Sequence, residues 1–183
     1  MKKTIAILTL TLLMFVGCSS EPDVPKVQTT SKFQIKAINV KLIQSMKTKT
    51  QFYTQTELQE LLQKDVSDEL AEKGLLSQDP SMDSLDINLT YRRHFFGDAT
   101  LVHVETLTSP NCDYSINVLD QNKTLTTIAE QDMIYTGGLT GGLTMIYQMA
   151  TGDANDKKYE LKFIKAIAHY IVEKIVELKE NQS

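Results

Sequence analysis

The sequence predicts an α+β fold, a single sheet of about five strands with two amphipathic helices on one face, in the order β-α-β-β-β-β-α. Three observations predict it. Apolar residues recur at helical spacing directly after Thr54, and again over a longer stretch near the carboxyl end. Between these stretches, apolar and polar residues alternate with the period of a strand. Short turn signals, Gly97-Asp98 and Asp120-Gln121-Asn122-Lys123, divide the alternating runs.

The first strand is expected from Phe33 to Ile43. Phe33, Ile35 and Ala37 share one parity and Ile38, Val40 and Leu42 the other, which implies a bulge or a strand covered on both sides. Residues 44 to 53 are polar and read as a loop. Thr54-Gln55-Thr56-Glu57 has the spacing of a capping box. Leu58, Leu61, Leu62, Val66 and Leu70 follow on one helical face, and Gly74 is a natural stop, so residues 55 to 73 read as a helix. Leu85, Ile87, Leu89, Tyr91 and Phe95 then alternate with polar residues, giving a strand with one dry and one wet face. If Phe96 pairs with Ala99, then Thr100, Val102, Val104 and Thr106 return as its hairpin partner. A second hairpin runs from Tyr114 to Leu119 and from Thr124 to Ile134. The last helix spans about Lys157 to Lys179, its stripe formed by Leu161, Ile164, Ala168, Ile171, Ile175 and Leu178 and widened by Phe163, Ile167 and Tyr170.

Ahead of this domain, Met1 to Gly17 reads as an export signal. Lys2 and Lys3 precede the twelve-residue apolar run Ile5 to Val16, well short of the about 20 residues a membrane-spanning helix needs. Gly17-Cys18 closes the run, and the segment resembles the lipobox of bacterial lipoproteins, with Phe15 where Leu is usual. The resemblance implies cleavage before Cys18 and acylation of its thiol. The same leader, cut nearby without acylation, would release a soluble periplasmic protein. Residues 18 to 31, with Pro22 and Pro25, read as the lipidated cysteine and an extended tether, leaving 32 to 183 as the folded domain. The leader holds two of the 19 basic residues, so the remainder is more acidic than the whole chain's −4. That balance excludes a nucleic-acid footprint. Cys112, within Ser109-Pro110-Asn111-Cys112-Asp113, reads as a small residue in a turn or as a thiol open to an intermolecular disulfide. Adjacent Asp113 disfavours the thiolate.

Two constellations invite a functional reading. The first hairpin register gathers Arg92, His94, His103 and Glu105 on the wet face. An open face lacks the supported shell a metal needs, and cross-strand charge pairing of Arg92 with Glu105 accounts for the residues more simply. Neither a metal nor another cofactor is expected. Ser-His-Asp and His-Glu-x-x-His patterns are absent from the chain, so enzymatic activity is not expected. The second is the repeat in Thr136 to Thr144, inside an uncharged stretch from Met133 to Gly152. It lacks the lysine of a phosphate-binding loop. It reads either as a long surface loop or as a contact for a bilayer or partner through Gly137, Gly138, Leu139, Gly141, Gly142, Leu143, Met145, Ile146 and Met149.

The order of these features resembles several bacterial envelope lipoprotein families of unknown function. The resemblance rests on Leu70-Ala71-Glu72-Lys73-Gly74-Leu75, on Asp83 to Asp86 opening a strand, on Val118-Leu119-Asp120-Gln121-Asn122-Lys123-Thr124-Leu125, and on the Gly-rich stretch before the last helix. It implies the small α/β domain found in the curli-secretion lipoprotein and in the lipoprotein activator of a penicillin-binding protein. No catalytic residue transfers. Ser19 directly after Cys18, where Asp would signal inner-membrane retention, implies the outer membrane, facing the periplasm. The expected function is a non-enzymatic interaction or assembly module with an envelope protein as partner and a lipid anchor in the membrane. The alternatives are an accessory subunit of a secretion or surface-assembly complex whose Gly-rich loop contacts membrane, and a small-ligand or enzymatic domain using the face of His94, His103 and Glu105.

Overall fold

The computed structural model describes residues 28–96, 105–134 and 157–180. Four strands form one sheet in the order β1-β2-β3-β4: β1 (Phe33–Gln44), β2 (Asp83–Arg93), β3 (Asn111–Asp120) and β4 (Lys123–Ile134). β1 runs parallel to β2, and the other neighbours are antiparallel. Helix α1 (Gln55–Glu72) connects β1 to β2, and helix α2 (Lys157–Glu180) follows β4 in sequence. The α+β architecture is the expected one.

Local chemistry sets the elements as the sequence predicts. Thr54 Oγ1 accepts from the Glu57 N–H at 3.2 Å, and Glu57 accepts from the Thr54 N–H at 2.7 Å, closing the capping box. At the other end of α1, Gly74 has φ +68°. Its N–H bonds to the Ala71 carbonyl and the Leu75 N–H to that of Leu70, so the last carbonyls are satisfied by a left-handed residue. The parity switch in β1 is a bulge between Ile35 and Ala37. The β3–β4 turn has positive φ at both Gln121 and Asn122, matching the right-handed twist of the flanking strands.

Both helices lie on one face of the sheet. Leu58, Leu62, Val66 and Leu70 of α1 and Ile164, Ile167, Ile171 and Ile175 of α2 share one buried cluster with Ile38, Val40, Leu85, Ile87, Leu89, Ile116 and Val118. Each such side chain contributes roughly 1.5–3 kcal/mol relative to exposure, so this layer outweighs any surface ion pair. A smaller cluster of Phe52, Phe95, Leu107, Tyr159 and Phe163 closes the end of the body where β1 and β2 finish.

The expected fifth strand is the main correction. β2 is hydrogen-bonded to β1 on one edge and β3 on the other, so among the described residues the antiparallel partner of β2 is 111 to 119 and not the expected 100 to 106. Where the chain returns, Phe95 bridges Leu107 rather than Thr100, and Arg92 lies opposite Asn111 rather than His103. Residues 97–104 lie outside the described ones. Cys112 is also misplaced by the sequence reading. It belongs to β3 and points into the core, where burial, then the neighbouring Asp113 charge, pushes its thiol up to about 12. In α2 the stripe begins at Tyr159 and Glu160, while Leu161 is only half-buried.

Candidate functional site

The face of the sheet away from the helices is open and polar. Strand pairing lays its side chains in rows. Asn39, Asn88, Ser115 and Ala129 form one row, and Ala37, Asp86, Asn117 and Thr127 the next. Asn39 donates to Asn88 Oδ1 at 3.0 Å, and Thr127 donates to Asn117 Oδ1 at 2.8 Å. A shallow groove of about 440 Å³ crosses the middle of this face, bordered by Asn39, Lys41, Asn88, Thr90, Asp113, Ser115 and Gln131. Its size is within the range of small-molecule sites, but its floor is a flat sheet. Such a surface offers amide and hydroxyl groups for hydrogen bonding and no activated nucleophile.

One fixed ion pair borders the groove. The Arg92 guanidinium binds both oxygens of Asp113, and Asp113 Oδ1 also accepts from the Asp132 N–H at 2.9 Å. These contacts, the guanidinium first, hold the Asp113 carboxyl at about 2. Asp132 sits at φ +53° beside the register shift between Cys112 and Tyr114, so Asp113 anchors a bulge in β4.

The residues singled out in the sequence separate. Arg92 is on the open face, paired with Asp113 and not with Glu105. Glu105 instead accepts from the Lys49 and Thr50 N–H groups at 2.7 and 2.9 Å, which lowers its pKa. The loop after β1 thus claims the carboxylate that the hairpin register assigned to Arg92. The His94 carbonyl accepts from the Thr108 N–H at the end of β2. His103 lies outside the described residues, as do Cys18 and the contact set Gly137, Gly138, Leu139, Gly141, Gly142, Leu143, Met145, Ile146 and Met149. The residues that flank the Gly-rich stretch are described. Ile134 lies in the terminal row Ile43, Arg92, Asn111 and Ile134. Lys157 bonds Glu57 at 2.7 Å, beside Gln44 and Arg93. Both are at the end of the sheet opposite Thr30.

The sequence reading missed a buried charge network. Arg93 and Glu160 are 3% and 0% exposed. Arg93 Nε donates to Glu160 Oε1 at 2.7 Å, and its other nitrogens reach Gln44 Oε1 and the Tyr53 carbonyl. The second Glu160 oxygen accepts from the Tyr53 N–H at 3.0 Å. Burial pushes the Glu160 carboxyl up, against the pull of the guanidinium. The Tyr91 hydroxyl feels the Glu160 charge yet makes no well-formed hydrogen bond among the described residues. The network joins β1, the following loop, β2 and α2. The signal was in the pattern, because Arg93 shares the parity of Leu89 and Tyr91 and Glu160 precedes Ile164 by one helical turn.

Among the described residues, no helix is long and apolar enough to cross a membrane. No family model matches the chain, and no curated protein does. Among solved structures, the chain is similar to the 2.35 Å crystal structure of a minor lipoprotein from Acinetobacter baumannii, with 15% identity, a TM-score of 0.38, and coverage of 79% of this chain and 92% of that one.

Proposed function

We propose that the chain is a non-enzymatic lipoprotein of the bacterial envelope, anchored through acylated Cys18 in the outer membrane and facing the periplasm, where its domain acts as an interaction or assembly module for an envelope protein. The leader carries this reading. A twelve-residue apolar core behind two lysines ends at Gly17-Cys18, and acyl chains on that cysteine make a stable anchor once two or more are present. The open polar face supports the module role, since it leaves amides and hydroxyls from all four strands free of a covering layer among the described residues.

Three measurements test the reading. Intact mass of the natively expressed protein is expected to show loss of residues 1–17 and gain of acyl groups. An uncut, unacylated product overturns the anchor. Photo-crosslinkers at Asn88 and Ser115 on the open face are expected to capture the same envelope protein in intact cells, and one at Glu60 on the outer side of α1 is not. Equal yields from all three positions remove the open face from the proposal. Deleting Gly137 to Gly152 is expected to leave the domain folded, and unfolding would make that stretch part of the core rather than a contact.

A further inference from the structure

We infer that Glu69, His169 and Glu173 form a zinc site at the seam between α1 and α2. His169 and Glu173 are four residues apart, so they project from one face of α2 on successive turns, and Glu69 reaches them from α1. Ligand atoms of the three lie within 4.8 Å of one another. His169 Nδ1 and Glu69 Oε1 are already 2.6 Å apart. Zinc takes imidazole nitrogen and carboxylate oxygen at about 2.0–2.2 Å in a tetrahedron, which sets neighbouring ligands about 3.4 Å apart. The present separations bracket that spacing, and both helices are held by the core beneath.

The site attracts a cation in its present state. Lys73, one turn after Glu69, places its ammonium 2.8 Å from Glu173 Oε1. A divalent ion between two carboxylates and an imidazole satisfies the same negative charge more fully, and leaves a fourth position for water. Lys73 is therefore an internal competitor that zinc must displace. The consequence is a cross-link between residues 100 positions apart, at a point where the two helices otherwise meet through side-chain packing and surface ion pairs.

The test uses the full-length chain with Cys18→Ala, in detergent, so that no accessible thiol binds the metal. Zinc ion alone is titrated by calorimetry and by thermal unfolding. One saturable site of micromolar affinity is expected, with a rise in Tm of about 5–10 °C at a hundredfold excess over Kd. His169→Ala and Glu69→Gln are expected to weaken binding at least tenfold, with circular dichroism confirming that both variants fold. Lys73→Met is expected to tighten binding, and the double variant His94→Ala with His103→Ala to leave it unchanged. Absence of saturable binding, binding that survives His169→Ala, or an affinity indifferent to Lys73→Met overturns the site. Loss of binding in the His94/His103 variant places the metal elsewhere and overturns it equally.

Discussion

Arg93 is a charge on the wrong side of a strand. Every other residue of its parity in β2, from Leu85 to Tyr91, is an apolar core residue, apart from Asp83 at the first position. Placing a guanidinium there costs several kcal/mol of desolvation unless its partners are all in place. Glu160, Gln44 and the Tyr53 carbonyl supply them. Glu160→Gln is therefore expected to cost about 3–5 kcal/mol in urea unfolding, because it leaves the guanidinium buried without a counter-charge. Arg93→Met combined with Glu160→Leu is expected to recover more than half of that loss. Recovery stays incomplete because the Tyr53 N–H and carbonyl lose their partners. Asp113 makes the opposite case, a charge stabilised near the surface. Its folded pKa of about 2 lies below the ordinary 3.8, so the unfolded chain binds more protons between those values. The stabilisation is complete above 3.8 and disappears as pH falls toward 2. A carboxyl NMR titration is expected to place the Asp113 midpoint near 2, with the Asp132 amide following it, and Arg92→Gln to move the midpoint upward. Parity places Arg93 on the core face from sequence, whereas Asp113 falls in a stretch that reads as a turn. Parity cannot supply their partners, because Glu160 and Asp132 arrive from elements whose register the sequence does not reveal.

Among the elements, those with local signals are the ones legible in sequence. Helix α1 announces both its ends, through Thr54 with Glu57 and through Gly74, and the β3–β4 turn announces itself through Asp120 to Lys123. The supposed strand at 100 to 106 has alternation without such a guarantee. Alternation says which residues share a face, but it is silent about which edges are taken, and β1 occupies the edge of β2 that a meander would have left open. That parallel pairing brings β1 to the end of the sheet. Its outer edge is then covered by α1 in an unusual manner. Gln55 Oε1 accepts from the Leu42 N–H at 3.1 Å and Gln59 Oε1 from the Val40 N–H at 3.5 Å. The match is geometric. Four helical residues rise about 6 Å, and two strand residues advance about 6.6 Å. The two glutamines thereby occupy donors that would otherwise recruit another strand. Gln55→Ala with Gln59→Ala is expected to lower stability by about 1–2 kcal/mol and to produce concentration-dependent association in light scattering. A double variant that stays monomeric at high concentration would show that the helix backbone alone shields this edge.

At the scale of the whole molecule, the residues just before β1 are bonded into the body. The Thr30 N–H bonds Asp83 Oδ2 at 2.6 Å, and Thr30 Oγ1 accepts from the Asp83 N–H at 2.9 Å. Lys179, at the end of α2, donates to the Thr30 carbonyl at 2.7 Å and lies 5.8 Å from the Phe33 ring. Residues before β1 are thus stitched to the start of β2 and the end of α2, and they continue the fold beyond the boundary at residue 32 that sequence composition suggests. A fully extended connection from Cys18 to Thr29 would span at most about 40 Å, so an anchor at Cys18 would hold this end of the sheet within that distance of the lipid. The exposed apolar residues Ile43, Phe96 and Ile134 are all at or beyond the ends of their strands on the opposite side. The stitching is the part of this arrangement that can be cut cleanly. A chain beginning at Gln28 is expected to melt as the full mature body does. One beginning at Lys32 loses the paired Thr30–Asp83 bonds, leaves the buried Asp83 carboxylate short of a donor, and removes the carbonyl to which Lys179 donates. Two or three hydrogen bonds of this kind contribute about 2–3 kcal/mol together, which corresponds to a drop in Tm of about 5–10 °C for a domain of this size. Equal melting of the two chains would mean that residues 29 to 31 merely pass over the surface.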